Sequence, residues 1–499
     1  MPRSEVVRIR TTHRVIDPVR PYLQSPALTT ESYGSAFFWQ ESTLLVTCYH
    51  CVHDARRVSV LGPDNLERAT ATVLGAVPSL DIALLRVEDE SITDRYFQDF
   101  VSLEELHRRA QESLSMDVMC IGHPLGSSAQ IASSGRITGH SGGLIQVDAS
   151  FSPGSSGGPV LLVEDKKLML VGIVHGSLTD PLKHSQNLNL VVPIDYLCAW
   201  KDRLVQQTPS LPRPRNIIEP PQLGIFYRAL NATCGEALRT LIDQDSPVPE
   251  GRLLIEYSMR PEIKRGDLLI AIDGIPVAYT GYLVTPCTSE ALTIKRYIET
   301  HKVEGSKVVL TVFRQPSLRA SIMQGCTTLD GCLRDPSPSS PPHANQSKSR
   351  RKDRVMQISL LFEEENAVDT LPRLNEQDQP YVVVGGLVLC DITQELLDHL
   401  GNEFLWQIDV WRPRPIRGVV LTHVMASVRN EYLHLNPPML LCTAFNKSLK
   451  TTAVLRSLVE DHGHTLQLRF HTGQQVLLDS STLQSLEETV KLFDGYPRS

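Results

Sequence analysis

Three polar side chains sit where their types suit nucleophilic catalysis. GSSGGPV, Gly154 to Val160, sets Ser156 in a turn so rich in glycine that a substrate carbonyl can approach its backbone amides closely. SLDIALLRV, Ser79 to Val87, puts Asp81 at the mouth of an apolar strand, where a carboxylate is costly without a designated partner. VTCYHCVHD, Val46 to Asp54, closes another apolar strand on His50. The chemistry these residues suit is acyl transfer. His50 takes the proton of Ser156 as it attacks a carbonyl and returns it to the leaving amine. Asp81 accepts a hydrogen bond from the other ring nitrogen, fixing the tautomer, and the amides of Gly154 and Ser156 are the natural pair of donors to a tetrahedral oxyanion.

The histidine segment admits a second reading, since Cys48 to Cys51 is also a C-x-x-C. A thiol–disulfide site needs that motif to open a helix within a βαβ unit, and the chain downstream gives further short strands instead. A metal held by Cys48, His50 and Cys51 has no second ligand pair at suitable spacing. No metal and no cofactor are expected.

The elements that must position these residues are mostly strands. From Tyr33 to about Asp195, short β-type runs such as DIALLRV, DVMCIGH, GLIQVDAS and KLMLVGIVHG alternate with Gly, Pro, Ser and Asp, the pattern of an antiparallel sandwich or barrel. One helical period appears, in SLEELHRRAQESL. TPSLPRPRNIIEPP, Thr208 to Pro221, reads as a stiff linker. A second unit follows, with strands LGIFYRAL, GRLLIEYS and SKVVLTVFR, helices CGEALRTLID and SEALTIKRYIET, and a hairpin turn at Asp273-Gly274. DPSPSSPPHANQSKSRRKDR, Asp335 to Arg354, is a tether almost without large apolar residues. A third strand–helix–strand unit contains YVVVGGLVL, GVVLTHVMA and LQLRFHTGQQVLLD. The expected boundaries are 1–207, 208–221 (linker), 222–325, 326–355 (linker) and 356–499.

Composition bounds the rest. At 499 residues the chain calls for two to four domains. Lys+Arg 49 against Asp+Glu 56, a formal net charge of -7, argues against a protein held to nucleic acid by phosphate contacts. Ten cysteines, mostly isolated, form no disulfide framework. No apolar run reaches the roughly 18 residues that span a bilayer. The expectation is an intracellular, soluble protein of cytosol or nucleus, with an organelle matrix as the alternative.

The order His50, Asp81, Ser156 is that of chymotrypsin-like enzymes. Gly34-Ser35-Ala36-Phe37, LLVTCYHCV, LDIALLRV, CIGHPLG, VDASFSPGSSGGPV, LVGIVHG and LNLVVPID resemble, segment by segment, the Deg/HtrA family of trypsin-fold serine proteases. GDLLIAIDGIPV is similar to the core of a PDZ domain, with Gln222-Leu223-Gly224-Ile225 where a carboxylate-binding loop belongs. The third unit resembles the second PDZ domain of the plant-type branch. The resemblance implies a mainly β protein: a chymotrypsin/trypsin-like double β-barrel followed by two PDZ-like α+β domains. It further implies an ATP-independent serine endopeptidase that degrades unfolded or damaged proteins and assembles as a homo-oligomer, trimer or hexamer. The expected partners are unfolded protein or peptide substrates, captured by residues 222–225, and neither nucleic acid nor a membrane span. The different-class alternative is a proteolytically silent PDZ scaffold or holdase. Ser155 stands where the family usually has Asn, and Tyr49 where it has a small residue. Cys51 lacks the partner that many trypsin-type enzymes provide and is expected as a buried thiol, while His175, on the strand that should line the substrate cleft, is expected as a structural histidine, with contact to the primary specificity pocket as the alternative.

Overall fold

The computed structural model describes residues 5–493 apart from 15–16, 24–28, 54, 88, 90–91, 93–94, 112–115, 165–166, 178–188, 206–215, 230–252, 279, 286–289, 315–353, 363–378, 398 and 402–417. The first strands are β1 (Val6–Arg14), β2 (Thr29–Phe38), β3 (Leu44–Thr47), β4 (Ala55–Leu61), β5 (Glu67–Val77) and β6 (Ile82–Val87). They run in the order β5-β4-β1-β2-β3-β6, and β5 pairs again with β6, so the sheet closes on itself. All four residues of β3 are buried, as are all of β6 except Arg86, which is why these strands read as continuous apolar runs.

A second closed barrel follows the same logic. Its strands are β7 (Asp117–Gly122), β8 (Ile131–Ser141), β9 (Leu144–Val147), β10 (Pro159–Glu164), β11 (Lys167–Ser177) and β12 (Asn189–Pro193), in the order β10-β11-β12-β9-β8-β7. Its core gathers Val118, Ile145, Val160, Leu162, Val171 and Val191. The double barrel expected from the sequence is therefore present. Closure leaves no free edge to aggregate. The short helix α1 (Tyr49–Val52) follows β3 directly. Helix α2 (Leu103–Gln111) is the one read from SLEELHRRAQESL. Ser102 caps it by accepting from Glu105 N at 3.2 Å, and its only buried residue is Leu106, as befits an insertion on the surface. Helix α3 (Ile194–Val205) closes the barrel region. Of the proline-rich linker, residues 208–215 lie outside the described residues; β13 (Asn216–Ile217) adds a parallel pairing to β5.

The second sheet comprises β14 (Ile225–Ala229), β15 (Leu253–Ser258), β16 (Leu268–Ile272), β20 (Lys307–Arg314) and β21 (Arg354–Leu361) in that order, with β17 (Ile275–Pro276) pairing β16, and β18 (Tyr282–Val284) and β19 (Ala291–Thr293) forming a separate ribbon. Asp273 (φ 51°) and Gly274 (φ 80°) make the expected two-residue turn between Ile272 and Ile275. Helix α4 (Ile294–His301) is shorter than the pattern SEALTIKRYIET suggested, because Ala291–Thr293 is strand and the Thr293 side chain caps the helix at Arg296 N. The helix read in CGEALRTLID lies outside the described residues.

The third sheet is a meander of β22 (Tyr381–Val384), β23 (Leu387–Asp391), β24 (Val419–Val424), β25 (Met439–Ala444), β26 (Leu466–Phe470) and β27 (Gln475–Leu478), accompanied by α5 (Thr452–Asp461) and α6 (Ser480–Phe493). By contacts the chain divides into two compact units. The first holds Met1–Arg10, Tyr33–Val52 and Val58–Val368, the second Thr11–Ser32, His53–Arg57 and Asp369–Ser499. The boundary expected at residue 356 is corrected: it falls inside β21, which pairs with β20 over its whole length, from Lys307 opposite Leu361 to Arg314 opposite Arg354. In the second unit, Thr422 Oγ1 donates to Val19 O at 2.8 Å and Val19 and Tyr22 pack on the core of the third sheet. No helix among the described residues is long and apolar enough to cross a membrane.

Candidate active site

Asp81 is placed by backbone conformation. It ends the turn Pro78–Leu80 with φ 56° and ψ 40°, a left-handed geometry that short polar residues tolerate better than branched ones, and it hands the chain straight to the buried strand β6. The side chain is only 14% exposed, so its charge must be answered by donors. Three N–H groups supply them. His50 N donates to Oδ1 at 2.8 Å, His50 Nδ1 bonds Oδ2 at 2.7 Å, and His175 Nδ1 bonds the same Oδ2 at 2.6 Å. Burial alone would raise the carboxyl pKa, but the bonds from His175 and then His50 hold it well below the ordinary carboxylate range. Asp81 is thus a permanent anion.

His50 stands on α1, one turn of helix fixed where β3 ends, and Tyr49 N donates to Asp81 O at 3.2 Å. Burial disfavours the imidazolium, yet the bond to Asp81, with Cys51 beside it, outweighs that and lifts the His50 pKa above the ordinary imidazole value. With Nδ1 committed to Asp81, Nε2 is the nitrogen left for proton transfer. The side chain is 47% exposed, so solvent reaches it.

Ser156 lies on a loop whose glycines are required by space. A Cβ on Gly157 (φ 86°) would stand 2.2 Å from Ser35 O and from Thr47 Oγ1; one on Gly154 (φ 95°) would stand 2.7 Å from His123 O. Ser35, fully buried, ties the loop down. Its N–H donates to Ser156 O at 2.9 Å and its Oγ to Gly154 O at 2.8 Å, while Thr47 Oγ1 donates to Ser35 O at 2.8 Å. The orientation of the Pro153–Gly154 peptide follows from one bond: Leu125 N donates to Pro153 O at 2.5 Å. In a trans peptide the N–H points opposite to the C=O, so Gly154 N–H faces away from Leu125. Among the described residues neither Gly154 N nor Ser156 N has an acceptor, so both amides are free for an oxyanion. The turn carrying Leu125 is itself anchored by Arg8, whose buried guanidinium donates to Gly126 O and to Asn65 Oδ1. Ser156 Oγ donates to His175 O at 3.2 Å.

Of the three chemistry-bearing residues read from the sequence, His50 and Asp81 are hydrogen-bonded to each other, and Ser156 Oγ bonds the backbone carbonyl of His175, whose ring bonds Asp81. Sequence reasoning missed the fourth member, His175. Its ring, expected in a structural role, bonds Asp81 and lies T-shaped to His50 with centroids 5.9 Å apart. The signal was a polar ring within the apolar run LVGIVHG, the same argument that singled out Asp81. Cys51 is the expected buried free thiol, packed against Gly34. Gln222 to Ile225 sit apart from this site, at the start of β14. Leu223 is buried in the core of the second sheet, Gly224 (φ 70°) accepts from Met259 N at 2.8 Å, and Arg260 donates to Gln222 O at 3.3 Å.

Residues 34–173 match the trypsin-like peptidase domain family. Among curated proteins the chain is 25% identical to "Protease Do-like 2, chloroplastic" of Arabidopsis thaliana, over 62% of this chain and 49% of that protein. It is also 25% identical to "Protease Do-like 1, chloroplastic" of the same plant, over 49% of this chain and 55% of that one. The chain thus spans about half the length of these relatives. A solved HtrA-type protease, AlgW with tripeptide, is similar at 19% identity and a TM-score of 0.42, covering 63% of this chain and 90% of that one.

Proposed function

We infer that this chain, a relative of the Deg/HtrA serine proteases with a trypsin-like peptidase domain at residues 34–173, is an ATP-independent serine endopeptidase that cleaves unfolded or damaged proteins. The observation that carries this reading is the Asp81 carboxylate bonded to both the backbone and the ring of His50, beside a loop that offers Ser156 and two free amides. In this mechanism Ser156 Oγ attacks a peptide carbonyl while its proton passes to His50 Nε2, and Asp81 stabilises the imidazolium. Gly154 N and Ser156 N hold the oxyanion, and His50 then protonates the leaving amine.

Substrate capture belongs to the second sheet, a PDZ-like domain in this reading. Strand β14 is the sheet's edge, so an extended peptide can pair with it, and the loop Gln222 to Ile225 receives the terminal carboxylate with Arg260 close behind. The third sheet serves packing or the contacts of a homo-oligomer, trimer or hexamer. One observation favours the alternative of a silent scaffold: Ser156 Oγ is bonded to His175 O, so the serine must rotate before it can be deprotonated. Intact-mass analysis with a fluorophosphonate separates the two. A stoichiometric adduct on the wild type, absent from Ser156→Ala, is expected. No adduct with or without an unfolded substrate would leave the scaffold.

A further inference from the structure

We propose that Cys48, His50, Asp81 and His175 form an inhibitory zinc site that takes the general base out of service, an inference that rests on the protease reading. One ligating atom from each of the four lies within 4.8 Å of the others. Tetrahedral zinc with Zn–N of about 2.0–2.1 Å and Zn–S of about 2.3 Å separates its donors by roughly 3.3–3.7 Å. The two short edges here, 2.7 Å from His50 Nδ1 to Asp81 Oδ2 and 2.6 Å from His175 Nδ1 to the same oxygen, need to open by less than about 1 Å, and the longer ones to contract by about as much. Side-chain rotation alone covers that range.

The donor set names the metal. Two imidazoles, a carboxylate and a thiol suit zinc, whereas magnesium and calcium demand oxygen. Access is open, because the His50 and His175 side chains are 47% and 35% exposed while Cys48 is buried behind them. Cys48 now donates to Val174 O at 3.2 Å, and releasing it orphans nothing, since Val174 O keeps its bond from Gly157 N at 2.9 Å. Burial and the Asp81 charge together keep the thiol protonated in the metal-free site; a dication beside it reverses that balance.

The protons balance as follows. The Cys48 S–H proton leaves to solvent as the Zn–S bond forms. A ring that carries both protons releases the one on Nδ1 to solvent, a ring that carries only the Nδ1 proton moves it to Nε2, and in either case the freed Nδ1 lone pair binds the metal. No group changes oxidation state. The consequence is mechanistic: a His50 that is metallated at Nδ1 carries its proton on Nε2 and cannot accept one from Ser156. Zinc therefore stops catalysis without touching the serine, and a chelator restores it.

Cobalt(II) titrated into the full-length Ser156→Ala chain reads the site independently of activity. The expected result is a thiolate-to-cobalt charge-transfer band saturating at one equivalent, lost in Cys48→Ala and weakened in His175→Gln, each made in the same background. In the active chain, zinc is expected to suppress peptide cleavage and magnesium to leave it unchanged. Cys48→Ala should lose at least about tenfold in zinc sensitivity, read as inhibition relative to its own zinc-free rate. Cobalt binding without the charge-transfer band, or equal zinc inhibition of the wild type and a folded Cys48→Ala, overturns the site. Should Cys48→Ala not fold, unchanged cobalt affinity in His175→Gln overturns it instead. A chain that binds cobalt with the band but never reacts with fluorophosphonate retains the metal site and loses the protease reading, so the two failures are distinguishable.

Discussion

The charge state of His50 sets the pH at which this site can work. Its ring is faced by Asp81, His175, Cys48 and Cys51, and the carboxylate dominates, so the imidazolium persists to higher pH than for a free histidine. A raised pKa means the base is protonated, and idle, below that value and available above it. We expect kcat/KM for a peptide substrate to rise with pH through a midpoint above 6.5, and a midpoint at or below 6.5 would contradict the assignment. Asp81→Asn removes the anion and leaves His50 in the wrong tautomer, with an expected loss of about 10⁴-fold in kcat. Replacing His175 tests something else. His175→Ala leaves the His50 bond in place but removes one of three donors to the carboxylate, so kcat should fall about tenfold with KM unchanged and the midpoint displaced, a signature that mere loss of packing would not give.

At the level of elements, the candidate oxyanion hole is held at a distance, through Arg8 in β1, the turn Pro124–Gly126 and Leu125 N on Pro153 O. Removing the guanidinium in Arg8→Met frees that turn and lets the Pro153–Gly154 peptide rotate. The expected outcome is a drop in kcat approaching the 10²–10³-fold cost of one oxyanion donor, with fluorophosphonate labelling slowed in parallel and little change in melting temperature. Labelling at the wild-type rate would show that the loop holds itself. None of this latch was legible in the sequence. His50, Asp81 and Ser156 stand out in it as candidates, because their segments have compositions that are costly unless they serve: a carboxylate opening an apolar strand, a serine among glycines. Arg8 and Ser35 act across 118 and 119 residues on the turn and loop they hold, and His175 across 94 on Asp81, and strand alternation says nothing about which distant loop a side chain meets. The same limit explains β21. The boundary expected at 356 cuts RVMQISLL in two, and only pairing reveals that the whole run belongs with β20 and not with the unit that follows it.

Within the first compact unit, the second sheet's helix reaches the turn that carries Asp81. Arg296, at the start of α4, donates through Nη1 to Ser79 O at 2.7 Å and through Nε to Gly142 O at 2.8 Å. Glu290 accepts from Gly143 N at 3.0 and 3.1 Å, so both carbonyl and amide of the Gly142-Gly143 turn are engaged from one side. Ser79 lies two residues before Asp81, inside the tight turn Pro78–Leu80 whose left-handed exit aims the carboxylate. A charged donor on its carbonyl stiffens that turn, and hydrogen bonds from charged groups contribute about 1.5–3 kcal/mol each. Arg296→Ala should therefore lower kcat several-fold, because Asp81 loses precision rather than charge. The pH midpoint should stay where it is and KM for a short peptide should not move, since Arg296 meets the Asp81 turn at the carbonyl of Ser79 and not at the carboxylate. Hydrogen exchange at residues 79–82 gives the structural readout, with faster exchange expected in the variant. Unchanged exchange with unchanged kcat would mean that the double barrel alone fixes the acid, and that the contact from α4 only docks one fold upon another.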